Sequence, residues 1–239
     1  MSGHSHWSGI KHKKEITDSK RSKVFSKIAK EITIAAKGGG DINFNSKLRL
    51  VVEKARSFNM PTDNIGRAIK KGTGEIEGEA LENVVFEAYG PGEIALIIEG
   101  ITDNKNRLLG EIKQILTKNN GKLVGKGGIQ WMFEKKGCLI VKTNESKTKE
   151  DWEMLLIDLG AEDISWHDDI VEVYVEQNDL EKVKTLFEEK HIEIESASLD
   201  WVAKKEIEVD KETEEKCFKL FDSLDESDSI QEIYSNLKK

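Results

Sequence analysis

The chain has 239 residues, of which 37% are hydrophobic and 34% are charged, a composition typical of a soluble protein with two or three small domains. No run of eighteen apolar residues occurs, and the basic N-terminus lacks an apolar core segment. These features exclude a membrane-spanning helix and a secretory signal peptide. We therefore expect a cytoplasmic protein.

The formal net charge of −8 conceals an uneven distribution of charge. Residues 1–74 contain 16 lysines and arginines against 6 acidic residues, a net charge of +10, whereas the remainder contains 21 against 39, a net charge of −18. Charged stretches are often only solvated surfaces. Here, however, the cations are both clustered and phased, so this distribution favours a protein that binds a polyanion such as nucleic acid at one end.

The N-terminal forty residues carry the strongest functional signal. A polar tail that contains Trp7 runs into the cluster Lys11-His12-Lys13-Lys14. The pattern from Asp18 to Lys37 then predicts a helix with lysines on one side and apolar residues on the other. Gly38-Gly39-Gly40 is expected to end this helix.

From this segment we predict a set of side chains that contact nucleic acid. The lysines would neutralise phosphates, Arg21 would make a forked phosphate contact, and Trp7 would stack on an exposed base. Two alternatives remain: Trp7 could instead pack back onto the helices, and the helical phase of Arg21 places it near the apolar side. The predicted contact residues are Trp7, Lys11, His12, Lys13, Lys14, Lys20, Arg21, Lys23, Lys27 and Lys30.

Two further helices are expected after the glycine run. Asn45 or Ser46 can cap a helix that continues to Phe58, and Pro61-Thr62-Asp63-Asn64 is typical of a helix start. In the third helix the last turn contains the cations Arg67, Lys70 and Lys71. Positive side chains at this position interact favourably with the unpaired carbonyl groups of the helix end. The three apolar faces predict a helical, nucleic-acid-binding domain at residues 1–78, including the basic tail.

After this domain the hydrophobic period changes to two, which predicts β-strands. Strands are expected at residues 83–89 and 94–99, a helix at 105–118 and a strand at 129–133. Near the C-terminus we expect a strand at 206–209, a helix at 212–224 and a strand at 229–234. Each of these two sets of strands and helices is only half of an α+β domain. We therefore predict that they pair with each other to form one discontinuous domain from residues 79–136 and 204–239.

The segment between these two parts has a complete rhythm of its own. Its elements follow the order β-α-β-β-α-β, which is typical of a ferredoxin-like domain, and we place that inserted domain at residues 137–203. The predicted fold class is therefore α+β and multidomain, with an N-terminal three-helix domain followed by two α+β, ferredoxin-like domains, the third inserted into the second.

No catalytic or cofactor motif is present. The glycine-rich segments 72–78 and 122–128 lack the features of a phosphate-binding loop, and the histidines have no catalytic spacing to carboxylates. Cys138 and Cys217 stand alone in apolar surroundings, which predicts two core thiols. We expect no enzyme activity, no cofactor and no metal.

Two segments of the sequence contain metal-binding residue types, and each has a simpler explanation. After removal of Met1, Ser2-Gly3-His4 could bind Cu(II) or Ni(II) in a square plane, although a flexible tail explains the same residues. His167-Asp168-Asp169 could hold a cation, although a polar hairpin turn explains this segment equally well.

Short segments along nearly the whole chain match the pattern of one known family. They are Gly3-His4-Ser5-His6-Trp7, Ile10-Lys11-His12-Lys13-Lys14, Asn59-Met60-Pro61, Arg67-Ala68-Ile69, Tyr89-Gly90-Pro91-Gly92, Thr102-Asp103-Asn104-Lys105-Asn106-Arg107, Trp131-Met132-Phe133 and Leu159-Gly160-Ala161-Glu162-Asp163. In these segments the chain resembles the YebC family, which includes the mitochondrial translational activator of cytochrome c oxidase subunit one. Two positions depart from the family pattern, because His6 stands where lysine is usual and Ile42 where proline is usual.

The resemblance implies three domains and a role in the control of gene expression. It leaves the choice between DNA and RNA open. We expect a DNA-binding transcriptional regulator, with a ribosome-associated RNA-binding translation factor as the alternative. A metal-dependent enzyme with a site between the α+β domains is a weaker alternative, and a pure protein-interaction module is weaker still. The expected partners are DNA, or ribosomal or messenger RNA, together with the ribosome or the transcription machinery, and we expect a monomer and no membrane association.

Overall fold

The computed structural model describes residues 18–143, 147–167 and 170–238 of the chain. Its described part confirms the predicted α+β class, with a helical region followed by two sheet-containing domains. The α-helices are α1 (Asp18–Ala36), α2 (Ser46–Ser57), α3 (Thr62–Thr73), α4 (Lys105–Lys118), α5 (Lys149–Asp158), α6 (Leu180–Glu189) and α7 (Lys211–Asp225). The strands are β1 (Glu82–Tyr89), β2 (Ala95–Thr102), β3 (Lys122–Val124), β4 (Phe133–Lys142), β5 (Asp163–His167), β6 (Ile170–Glu176), β7 (Ile194–Ala203) and β8 (Ile230–Ser235).

The chain folds into two compact units, one of which is a single continuous segment inserted in the sequence of the other. Residues 134–202 form one unit, and the described residues before and after that segment form the other. The helical region and the first sheet therefore belong to the same unit. The boundaries that the sequence suggests for three domains stay a prediction.

The three N-terminal helices pack around a small apolar core. Ile28 and Ile32 of α1 are buried against Leu48 and Val52 of α2, at the spacing that places one side of each helix inward. The side-chain oxygen of Asn45 accepts a hydrogen bond from the N–H of Leu48 at 3.0 Å, which caps the start of α2. Local sequence therefore sets both the inner face and the first turn of this helix.

The first sheet has the strand order β3-β1-β2-β8. Strand β8 comes from the C-terminal segment and pairs antiparallel with β2. The sheet therefore combines residues that precede and residues that follow the segment 134–202 in the sequence. Alternate residues of β1, such as Val84 and Phe86, join the core that also contains residues of α4 and α7. The opposite face of β1 carries Val85, Glu87 and Tyr89, since successive side chains in a strand point to opposite faces.

The unit formed by residues 134–202 contains a sheet with the strand order β5-β6-β4-β7. Its elements follow the chain order β4, α5, β5, β6, α6, β7. The antiparallel pairs β4–β6 and β5–β6 place the third strand of the unit between the first and the second, as in ferredoxin-like folds.

Two predicted strands are wrong and one strand was not predicted. Residues Gln130–Met132 form a 3-10 helix, and β4 begins only at Phe133. Residues 206–209 do not form a strand, because Ile207 makes only an isolated bridge to Leu237. The short strand β3 pairs with β1 and was missed because three residues are too few to show a period.

Within the described residues, no helix combines the length and the apolar character needed to cross a bilayer.

Both cysteines are buried free thiols, as the sequence predicts. Burial raises the pKa of Cys138 well above its usual value, and burial together with nearby Glu214 raises the pKa of Cys217 to about 11. We therefore expect neither thiol to react with Ellman's reagent within minutes at about pH 8, since the thiolate is the reactive species. In denaturant both thiols should react, and a fast-reacting thiol in the native protein would contradict this expectation.

Candidate nucleic-acid interface

Part of the predicted contact set lies outside the described residues. This part comprises the tail residues Trp7, Lys11, His12, Lys13 and Lys14, together with the side chain of Lys20. Their role stays a prediction from sequence. The described part of the predicted interface therefore begins at Arg21, whose side chain is exposed.

Lys23, Lys27 and Lys30 project from α1 toward the connection between α7 and β8. The Lys27 ammonium group lies 2.8 Å from Oδ1 of Asp225 and 3.1 Å from its carbonyl oxygen. Lys30 donates to the carbonyl oxygen of Asp228 at 2.9 Å, and Lys23 donates to that of Glu226. Three cations of α1 thus contact one short acidic segment.

These contacts have a structural explanation. Helix α7 ends at Asp225 without a basic residue in its last turn, and the final carbonyl groups of a helix carry partial negative charge. Lysines of α1 supply the missing cations from a distant part of the sequence. They therefore help to hold the helical region against the end of α7.

This arrangement differs from the expectation that the lysine stripe faces a ligand. The side chain of Lys27 retains only 12% exposure and that of Asp225 only 20%, so the pair is largely withdrawn from solvent. Phosphate binding by Lys23, Lys27 and Lys30 requires these internal contacts to be exchanged. Their assignment as phosphate ligands stays a prediction.

Helix α3 carries a different cationic surface, which is open. Arg67, Lys70 and Lys71 are exposed and occur at positions i, i+3 and i+4, so they share one face of the helix. Among the residues that the structure describes, none of the three pairs with another side chain. The sequence pattern contained this signal, but the same cations also suit the last turn of a helix.

The connection between α1 and α2 presents an exposed aromatic side chain. Phe44 is 91% exposed, which is unusual for a residue of this size and hydrophobicity. The connection is ordered by Asp41, whose carboxylate accepts a hydrogen bond from the N–H of Asn43 at 2.8 Å. Lys47, in the first turn of α2, is also exposed. A phenyl ring near a cation can stack on an unpaired base.

A charge cluster joins the helical region to β8. The Lys54 ammonium group of α2 lies 3.0 Å from Glu31 and 3.2 Å from Glu232. Burial lowers the pKa of Lys54, but the attraction of the two carboxylates outweighs that effect and raises the pKa. Lys54 thus remains charged and serves as a structural cation.

Within the described residues no group of three or more histidines, cysteines or acidic residues is arranged to hold a metal ion. Both metal hypotheses from the sequence fall outside this part, because residues 2–4, Asp168 and Asp169 and the side chain of His167 are not described.

Comparison with known proteins identifies relatives along the whole chain. The model described as "TACO1/YebC protein N-terminal domain" matches residues 5–75, and the model described as "TACO1/YebC second and third domain" matches residues 81–237. A probable transcriptional regulatory protein of Halothermothrix orenii is 48% identical over 239 residues, covering 99% of this chain and 94% of the relative. One of Thermoanaerobacter pseudethanolicus is 45% identical, covering 100% and 97%.

A solved structure has the same fold. The crystal structure of a conserved hypothetical protein from Aquifex aeolicus aligns with a TM-score of 0.89 at 38% sequence identity. The alignment covers 98% of this chain and 97% of the other.

Proposed function

This chain belongs to the TACO1/YebC family, and from that membership we propose that it is a nucleic-acid-binding regulator of gene expression that catalyses no reaction. The relatives that it matches are named probable transcriptional regulatory proteins, which supports a regulatory role. For this reason DNA is the first target that we propose. The protein would act in the cytoplasm, as a monomer, together with the transcription machinery.

The observation that carries the proposal is the open cationic face of α3. Arg67, Lys70 and Lys71 leave three positive side chains exposed on the segment whose net charge is +10. The remainder of the chain, at −18, would repel a polyanion and confine it to this end. We propose that the α3 face binds phosphates together with the tail residues Lys11, Lys13 and Lys14.

A second candidate is an RNA-binding translation factor that acts at the ribosome. The exposed ring of Phe44 favours it, because the stacking of successive base pairs in a duplex covers the base faces on which an aromatic side chain stacks. The connection between α1 and α2, which carries Phe44, would then contact a loop or a single-stranded segment of structured RNA.

Replacing Arg67, Lys70 and Lys71 together by alanine should weaken nucleic-acid binding about tenfold at physiological salt. The slope of log K against log salt concentration should fall by up to about 2.7, since each lost contact to duplex phosphate removes about 0.9. Fluorescence anisotropy with labelled duplex DNA and with structured RNA, over a series of salt concentrations, measures both quantities.

The matched control removes the same charge from α7. Lys211, Lys216 and Lys219 are exposed there, and their replacement by alanine should leave the salt slope unchanged. Equal losses in both triple variants would show that only net charge matters and would contradict an interface on α3.

A pull-down from lysate at two salt concentrations identifies the target. The wild-type protein is compared with a variant in which Lys11, Lys13 and Lys14 are alanine. Discrete DNA fragments that the variant and high salt both lose would support transcriptional regulation. Ribosomal RNA with ribosomal proteins would assign the protein to translation, and no nucleic acid at either salt concentration would refute the proposal.

A further inference from the structure

A surface outside the helical region combines an exposed tryptophan with two lysines. Trp131 is 68% exposed, and the side chains of Lys122 and Lys126 are exposed as well. Residues 112–133 contain four lysines and no aspartate or glutamate, although the chain beyond residue 74 has a net charge of −18. This surface is therefore a basic island within an acidic part of the chain.

A buried carboxylate holds the loop before Trp131 in place. Glu87 of β1 is only 3% exposed, and its two oxygens accept three backbone hydrogen bonds. One oxygen binds the N–H of Gly127 at 2.6 Å, and the other binds those of Ile129 and Gln130 at 2.8 and 3.0 Å. Charge-assisted hydrogen bonds of this kind are strong, so the loop has a defined conformation.

The indole ring of Trp131 is oriented by a contact of its own. Its N–H donates to the carbonyl oxygen of Gly128 at 3.1 Å. The polar group of the side chain is thereby satisfied within the loop, while most of the ring surface remains in solvent. A tryptophan normally gains stability by burying such a surface, and here a rigid loop keeps it exposed.

Lys122 lies on the same side of the sheet as the Glu87 carboxylate, and Lys126 directly precedes Gly127 in the loop that this carboxylate binds. Glu87 and Tyr89 share one face of β1, and Lys122 is paired with Tyr89 in the register between β1 and β3. The Lys122 ammonium group lies 5.5 Å from the centre of the Tyr89 ring, a cation–π distance that fixes its position. Because Glu87 is covered by the loop that it binds, the carboxylate adds no exposed negative atom to this face.

We propose that the surface formed by Lys122, Lys126 and Trp131 binds single-stranded nucleic acid, with one unpaired base stacked on Trp131 and adjacent phosphates on the two lysines. This inference rests on the proposed function and adds a second contact to the one in the helical region. Every base has a face that can stack on an indole, so the surface selects for unpaired bases rather than for sequence. Two contacts on one strand raise the apparent affinity above that of either alone.

The test measures anisotropy of labelled twelve-nucleotide single strands, as RNA and as DNA, and of the duplex of the same sequence. Trp131→Ala should weaken single-strand binding about tenfold. It should leave duplex binding within about twofold and the salt slope unchanged, because no phosphate contact is lost. Lys126→Ala should lower the single-strand slope by about 0.7, the value for one lost phosphate contact.

Two further variants separate stacking from folding, and a third serves as a control. Trp131→Phe keeps an aromatic face and should retain binding within about threefold. Glu87→Gln replaces one acceptor oxygen with a donor, so the loop loses hydrogen bonds and single-strand binding should fall as in Trp131→Ala. Met154→Ala removes a 63% exposed apolar side chain from α5 and should have no effect.

The outcomes also distinguish this inference from the proposed function. If Trp131→Ala binds single strands like the wild type while the triple variant of Lys11, Lys13 and Lys14 loses binding, the function stands and the second contact is refuted. If the wild type binds no nucleic acid of any kind, the function itself is refuted. Equal losses for RNA and DNA support stacking on any base, and a loss confined to one of them identifies the strand that this surface recognises.

Discussion

Replacing Lys54 by methionine should lower the free energy of unfolding at neutral pH by about 2–3 kcal/mol. The methionine preserves most of the side-chain volume, so the effect reports the lost charge. Glu31 and Glu232, which retain only 16% and 14% exposure, would then face each other without a cation. Breaking a fully buried pair costs about 3–5 kcal/mol, and the 30% exposure of Lys54 places this case below that range.

The loss should depend on pH in a defined direction. Burial raises the pKa of Glu31 even with Lys54 present, and removing the cation raises it further. A folded-state pKa above the unfolded value of about 4.3 means that the folded protein binds more protons. The penalty in the variant is therefore fully present at neutral pH and shrinks as pH falls through the folded pKa.

Urea titrations at about pH 7 and about pH 5 measure both effects. Lys47→Met is the matched control, because Lys47 lies on the same helix and is exposed. It should change the free energy of unfolding by less than about 0.5 kcal/mol. A loss in Lys54→Met as small as that of the control, or one that grows toward acid pH, would contradict the structural role assigned to Lys54.

The helices were predictable from sequence because their signals are local. Apolar spacing and the cap at Asn45 give α2 within a residue of its observed bounds, and Asn104 caps α4 in the same way. Strand β8 of the C-terminal segment pairs with β2, and the discontinuous domain that the sequence suggests stays a prediction. An unpartnered group of strands must find its neighbour elsewhere in the chain.

The strand predicted at residues 129–133 does not form, and the cause is a side chain of β1. The N–H groups of Ile129 and Gln130, which a strand would use in pairing, donate to the carboxylate of Glu87. That acceptor is more than forty positions earlier in the sequence. No local pattern around residue 129 shows it.

The candidate site shows the same limit. Periodicity placed Lys27 and its neighbours correctly on one side of α1, but the acceptor Asp225 is 198 positions away in sequence. A lysine stripe that binds phosphate and one that binds the end of a helix have the same spacing. Distinguishing between them needs the tertiary contacts, and these contacts draw attention to Arg67, Lys70 and Lys71 instead.

Replacing Gly72 by alanine should destabilise the protein by about 2–3 kcal/mol. Helix α3 approaches α1 so closely at this point that an added Cβ atom would lie 2.3 Å from the carbonyl oxygen of Thr33 and 2.6 Å from Cβ of Ala36. Neither is the end of a flexible side chain, so the helices must separate. A second close contact, the hydrogen bond from the Thr33 hydroxyl to the carbonyl oxygen of Ala68 at 3.2 Å, would be strained as well.

Gly66 is the matched control, because it lies in the same helix and an added Cβ atom there meets nothing within 4 Å. Gly66→Ala should therefore stabilise the protein by about 0.5–1 kcal/mol, the gain from replacing a helical glycine. Opposite signs in urea titrations of the two variants would show that helix packing decides the effect. Stabilisation by both changes would mean that α1 and α3 do not meet at Gly72, and the cationic face of α3 would then lose the support that orients it.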